Sequence, residues 1–269
     1  MTATKGIVML SKSMQLYEAL NTYGHFATRP VGIKLAKADE KIIQKAKYPL
    51  EDIGNRLAVC QGMSLARTIG WTMVFRKQDH GCPLAPLFLG HTKPDIFLSG
   101  KAAGSYQDQD ACAKVMESSF PRWPLNSIQQ VWISPLNRCE FKPDLAVVYG
   151  NPAQILSLIQ AANFRIGSGI KSISTGRAGC STWIAGVVQS DECTYMMPGP
   201  GERVFAGTQD YEMSFALPYA KFDNLMAGLE YIGSKRAYKY PVPNLAILAE
   251  PKFSREYYAV DPQWQFDPK

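Results

Sequence analysis

The sequence predicts one mixed α/β domain, built from two related strand–helix–strand halves around mixed sheets. Three observations lead there. Short β-rich apolar runs alternate with stretches of helical periodicity along the chain. One segment, Leu145–Phe164, carries every local signal of a strand–turn–helix unit. At 269 residues with 46% hydrophobic content, the chain can bury a full core unaided. The whole of 1–269 is read as a single domain.

The elements follow in order. Ser13–Tyr23 reads as an amphipathic helix, with Leu16, Leu20 and Tyr23 on one face. Arg29-Pro30 leads into a strand at Val31–Leu35. Ala38–Lys47, with Lys41 and Lys45 beside Asp39 and Glu40, has the spacing of a solvated basic helix. A helix over Arg56–Ile69, a strand at Trp71–Arg76 and the turn Asp79–Cys82 come next. Ile96–Leu98 reads as a short strand before a helix at Ala111–Ser118. Strands at Gln130–Pro135 and Leu145–Tyr149 bracket a connector. Asn151 is then an N-cap with Pro152 at the first helical position, starting a helix through Phe164. A strand at Gly169–Ser174, the turn Gly176–Cys180 and an apolar segment Thr182–Val188 follow. Glu212–Leu217 reads as a strand and Tyr219–Ile232 as a helix. The proline- and aromatic-rich 238–269 lacks periodicity and is expected to be an extended tail on the domain or on a partner subunit.

The halves echo each other: strand, helix, strand, then a Gly-Cys turn at Gly81-Cys82 and at Gly179-Cys180. If the repeat is real, a pseudo-two-fold axis relates Cys82 to Cys180.

Charge and composition exclude some classes. The net charge is +6 with dispersed Lys and Arg, which argues against a nucleic-acid partner. No apolar run has the length of a membrane span or signal core, so the chain is read as cytoplasmic with no membrane partner. In a reducing compartment its six cysteines are free, metal-bound or reactive rather than paired. No Cys-x-x-Cys exists, so any metal site must be assembled from distant residues.

Several segments resemble the domain of unknown function 169 family. They are Arg29–Leu35, Val59–Gly62 with Ala66-Arg67, His80–Leu84, Ser134–Leu136, Gly150–Gln154, and Gly201–Arg203 with Glu212-Met213, which together span 29–218. The resemblance implies a cytoplasmic domain typical of anaerobes, of unassigned activity, with cysteines at the positions of Cys60, Cys82 and Cys180. The resemblance also implies, in many members, another cysteine just before the Gly-x-Arg segment. Gly199 and Pro200 stand there in this chain, so a four-cysteine site would need Cys193 as the substitute.

The leading expectation is a metal or iron–sulfur site on Cys60, Cys82 and Cys180. Cys193 or a non-protein ligand would complete it. Thiolates match soft iron, a [4Fe–4S] cluster being the first candidate and zinc, with His80, the variant. The role would be redox or small-molecule binding, with a small molecule or redox partner and a homo-oligomer both compatible. Cys112 and Cys139 are read as structural. A second expectation is a thiol enzyme in which Cys180, with His80 or His25 beside it, has a lowered thiolate pKa. A third is a non-catalytic anion or small-molecule binder using Asn151, Gln154 and Arg203, although Glu202, Arg203 and Glu212 could instead form a buried ion pair. No reaction or substrate follows from the sequence.

Overall fold

Successive side chains of a strand point to opposite faces, and the near-continuous burial of the strands here means that both faces of their sheet are covered. In the computed structural model, which describes residues 10–42, 44–101, 104–165, 169–235, 240 and 255–258, six strands form one sheet: β1 (Val31–Ala36), β2 (Met73–Arg76), β3 (Gln130–Pro135), β4 (Leu145–Gly150), β5 (Thr194–Met196) and β6 (Met213–Pro218). Their order is β2-β3-β1-β4-β6-β5 and every ladder is antiparallel. The α and β mixture matches expectation, but the strands do not run in mixed directions.

One face of the sheet presents Val31, Ile33, Met73, Phe75, Val131, Ile133, Leu145 and Val147 to the larger core. Over it lie α2 (Val59–Ser64), α3 (Leu84–Phe88), α4 (Asp95–Leu98) and α5 (Gln109–Ser119). The α2 helix runs on as a π-wound segment, Leu65–Ile69; a second π-wound segment, Ser181–Gly186, continues as α7 (Val187–Ser190). The α8 helix (Pro200–Ala206) packs on α2, and α3 packs on Ser181–Gly186. The opposite face, through Ala146, Val148, Phe215 and Leu217, buries α1 (Lys12–Gly24), α6 (Pro152–Ala162) and α9 (Phe222–Gly233). Leu16, Leu20, Ile155, Leu158, Leu225 and Leu229 form that second core. Among the described residues no helix is long and apolar enough to cross a membrane.

The repeat is present, with different equivalences from those expected. β1, β3 and β2 run outward from the centre of the sheet just as β4, β6 and β5 do on the other side. The registers agree as well. Val31 opposite Pro135 has its counterpart in Leu145 opposite Pro218, and each proline leads into a 3-10 turn, Leu136–Arg138 or Tyr219–Lys221. The crossover from β1 to β2 is α2 with its π-wound end. The crossover from β4 to β5 on the same face is Ser181–Gly186 with α7. Cys60, the second residue of α2, and Cys180, the N-cap of Ser181–Gly186, therefore correspond. Cys82, before α3, corresponds to Gly199, the N-cap of α8, and each is followed by a proline. The expected equivalence of Cys82 and Cys180 is corrected accordingly.

Three local expectations also change. The described residues of Ala38–Lys47 form no helix; Gln44 instead donates to Thr72 Oγ1 at 2.7 Å and to the Arg138 carbonyl, and accepts from Glu140 N–H at 2.8 Å. These side-chain bonds hold the segment, as an irregular connection, against the domain. Gly169–Ser174 is not a strand: it runs beside β5 through Ser172 Oγ, which donates to the Tyr195 carbonyl, and the Thr194 hydroxyl, which donates to the Lys171 carbonyl. Ile96–Leu98 lies in the helical turn α4. Of the expected tail 238–269, only Tyr240 and α10 (Arg255–Tyr258) are described; the remainder lies outside the described residues.

Candidate functional site: thiols and a buried carboxylate at four helix entries

Packing brings the starts of α2, α3, Ser181–Gly186 and α8 to one face of the larger core. Cys60 enters α2 behind Ala58, whose N–H donates to the Gln61 side chain at 2.8 Å. That bond satisfies a donor that the helix start leaves free. The turn bearing Cys82 is fastened to the same place: Leu57 N–H donates to the Asp79 carbonyl at 3.0 Å, and Gly81 N–H to the Leu57 carbonyl at 2.8 Å. Cys180 follows Gly179, where a Cβ would stand 3.0 Å from Glu202 Oε2. A side chain at 179 would therefore press on the carboxylate.

Glu202 is 5% exposed. It accepts from the Gly199 N–H at 3.0 Å, closing the start of α8, and from the Tyr149 hydroxyl at 2.9 Å. Burial pushes its carboxyl above the ordinary range and outweighs those two donors. The thiols feel the carboxylate and each other. Burial first, then Glu202 and Cys82, push the Cys60 thiol up to about 12. Burial first, then Cys60, Cys82 and Glu202, push Cys180 well above the usual thiol range. Three cysteines drawn from distant segments thus share one electrostatic neighbourhood with Glu202. Among the described residues, however, no three His, Cys, Asp or Glu side chains are arranged to hold a metal ion as they stand.

The polar chain continues inward. The Arg67 guanidinium lies 4.2 Å from the centroid of the Tyr149 ring, a cation–π contact. Arg67 is 4% exposed and forks onto Glu212, with Nη1 donating to Oε1 at 2.5 Å and Nη2 to Oε2 at 3.0 Å. Burial alone would raise the Glu212 carboxyl, but Arg67 and the Gln209 N–H bring it below the ordinary range. Arg67, Tyr149, Glu202 and Glu212 therefore form one buried array. Sequence reasoning singled out neither Arg67 nor Tyr149, although Ala66-Arg67 stood among the family-like segments.

Several expected site residues lie elsewhere. Cys193 is buried in the second core, on the opposite face of the sheet, with Lys221, Glu192 and Asp191 as its charged neighbours. It is not brought to the other three. The Asn151 side chain accepts the Gln154 N–H at 3.0 Å, and Gln154 accepts the Asn151 N–H while donating to the Gly24 and His25 carbonyls. Both residues start α6 and tie it to α1. Arg203 pairs at 3.0 Å with the exposed Asp210 instead of with Glu202 or Glu212. The three residues read as a binding site thus serve separate local contacts.

The activated-thiol reading is corrected as well, because burial, Cys60, Cys82 and Glu202 raise the Cys180 thiol and outweigh the Ser181 N–H that favours the thiolate. His25 is the exposed C-cap of α1. His80 stacks on Phe75 and sits 5.3 Å from His91, ring centre to ring centre. Burial, then His91, push its imidazole down to about 3. Cys139 is buried with its Sγ donating to the Phe141 carbonyl at 3.2 Å, and Cys112 is fully buried.

A family model for domain of unknown function 169, described as "Uncharacterised ArCR", matches residues 19–228. The chain belongs to that family. The match covers all six strands and the helix entries that gather Cys60, Cys82, Cys180 and Glu202. No curated protein and no solved structure matches it.

Proposed function

We propose that this member of the domain of unknown function 169 family holds a soft metal centre, an iron–sulfur cluster or a zinc ion, on Cys60, Cys82 and Cys180. Its role would be redox or small-molecule binding. The observation that carries this reading is the meeting of three thiols from separate segments beside one buried carboxylate. The donor set has the right chemistry, since thiolates prefer iron–sulfur clusters and zinc over hard cations. Loading requires the side chains to turn toward one another from their helix entries. A three-cysteine cluster would supply one-electron chemistry and one iron with an exchangeable position.

The chain's own residues set the conditions. Burial holds the Cys60 and Cys180 thiols protonated at neutral pH, so binding a metal there releases protons and tightens as pH rises. Glu202, its carboxyl pushed above the ordinary range by burial, stands beside them. The pseudo-two-fold counterpart of Cys82 is Gly199, which brings no side chain, so that position would supply no fourth thiolate.

Anaerobic isolation followed by iron, sulfide and zinc analysis, with absorption and electron paramagnetic resonance spectra, tests this. Metal should be present at a fixed ratio, lost in Cys60→Ser, Cys82→Ser and Cys180→Ser, and kept in Cys193→Ser and Cys112→Ser. Protein that stays colourless and metal-free after anaerobic isolation and reconstitution would rule the reading out.

A further inference from the structure

The far end of the buried array opens onto a different feature. A cavity of about 390 Å³ lies between the C-terminal half of α1, the segment leading to β1 and the π-wound end of α2. Its walls include Tyr17, Asn21, Phe26, Thr28, Arg29 and Arg67. The volume suits a small organic molecule. Among the described residues no acidic side chain lines it.

The charges around it do not cancel. Arg67 spends its charge on Glu212, as described above. Arg29 donates through Nη1 to the Thr68 carbonyl at 2.8 Å, which fixes the guanidinium. Among the described residues it has no carboxylate partner. Thr28 Oγ1 accepts from Arg67 at 3.4 Å, leaving its own proton free to donate. The cavity therefore combines one uncompensated, oriented guanidinium and hydroxyl and amide donors with two aromatic walls. A fork of N–H donors next to a hydroxyl is suited to a planar or tetrahedral oxyanion. Tyr17 and Phe26 offer the apolar surface that a bare inorganic ion would not use.

We infer that this cavity binds a small organic oxyanion, a carboxylate or phosphate monoester, with its charged head on Arg29 and its body against Tyr17 and Phe26. The assignment does not rest on the thiols holding a metal. Calorimetric titration of the full chain with benzoate, phenyl phosphate and inorganic phosphate tests it, alongside thermal melts. At least one organic probe should bind saturably and more tightly than inorganic phosphate. Arg29→Gln should weaken that binding tenfold or more, Arg29→Lys less so, and Cys60→Ser not at all. Asn21→Trp, which places a bulky side chain in the cavity wall, should also abolish it. The inference is overturned if no probe binds saturably. It is equally overturned if Arg29→Gln and Asn21→Trp, folded by circular dichroism, each lose less than tenfold. Binding of inorganic phosphate as tight as that of both organic probes would overturn the role given to the aromatic walls.

Discussion

The two halves of the sheet share strand order and register but carry different chemistry at matching places. Cys60 and Cys180 are counterparts, each at the entry of a crossover helix. Cys82 and Gly199 are also counterparts, yet one is a thiol and the other has no side chain. The second half supplies Glu202 instead, three residues beyond Gly199, and Glu212, while the first supplies Arg67. The backbone repeats because register and packing demand it; the side chains near the centre are free to diverge. The two carboxylates show how far local pairing decides charge. Glu212, gripped by Arg67, is held below the ordinary range, whereas Glu202, met only by neutral donors, is pushed above it.

The sharpest break in this comparison is to remove the cation that joins the halves. Arg67→Met leaves Glu212 buried and unpaired, and should cost about 3–5 kcal/mol in urea unfolding. Adding Glu212→Gln should restore much of that loss. No recovery in the double variant would mean that Arg67 acts through Tyr149 and not through Glu212.

Thiol reactivity tests the shared neighbourhood. With its thiol at about 12, Cys60 in metal-free protein should be alkylated near pH 8 roughly a thousandfold more slowly than an ordinary cysteine, which titrates at about 8.5. Glu202→Gln should speed the reaction at Cys60 and at Cys180, but leave Cys193 unchanged. Equal rates at Cys60 before and after that change would separate Glu202 from the thiols.

The pH dependence of stability distinguishes the two glutamates. The Glu202 carboxyl is raised in the folded state, so the fold carries a penalty at neutral pH that is relieved as pH falls toward the ordinary range, about 4.3. The Glu212 carboxyl is lowered, so its contribution is full above that range and lost as pH falls through its folded value. The buried His80, held at about 3, loses stability of its own as pH falls below about 6.5. Taken as differences between wild type and variant, urea unfolding should therefore show the Glu202 contribution growing more favourable on mild acidification and the Glu212 contribution shrinking below about pH 4. Glu202→Gln should remove the first of these contributions, and Glu212→Gln the second.

The smallest effect is expected at Gly199. Its φ of −76° is open to any residue, and an added Cβ would meet only the Gly176 carbonyl oxygen, at 3.6 Å. Gly199→Cys should leave the melting temperature unchanged while raising zinc affinity. A destabilised variant would show that the counterpart of Cys82 has lost the space for a side chain.

Much of the frame could be read from the chain. β3 lies at Gln130–Pro135 as expected, and α1, β1, β4 and the capped start of α6 are within about two residues of their expected limits. These elements declare themselves through local periodicity and caps. The segment around Gln44 did not, because its conformation is set by partners in β3 and the following turn, far along the sequence. β5 escaped for the same reason: three residues hold no period, and only pairing with β6 makes them a strand. At the site, Cys60, Cys82 and Cys180 stood out through their turns and helix entries. Their proximity to Glu202, and the array through Tyr149 to Arg67, depend on how α8 lies against α2, which no local signal encodes.

The matched registers of the two halves carry one more consequence. Two identical three-stranded units meeting across β1 and β4 could offer only duplicate groups to anything bound on the axis, so their shared centre would have no front or back. Joined in one polypeptide, the units are released from that obligation. A thiol can stand at one entry while its mate is bare, and a molecule arriving at the centre meets a direction.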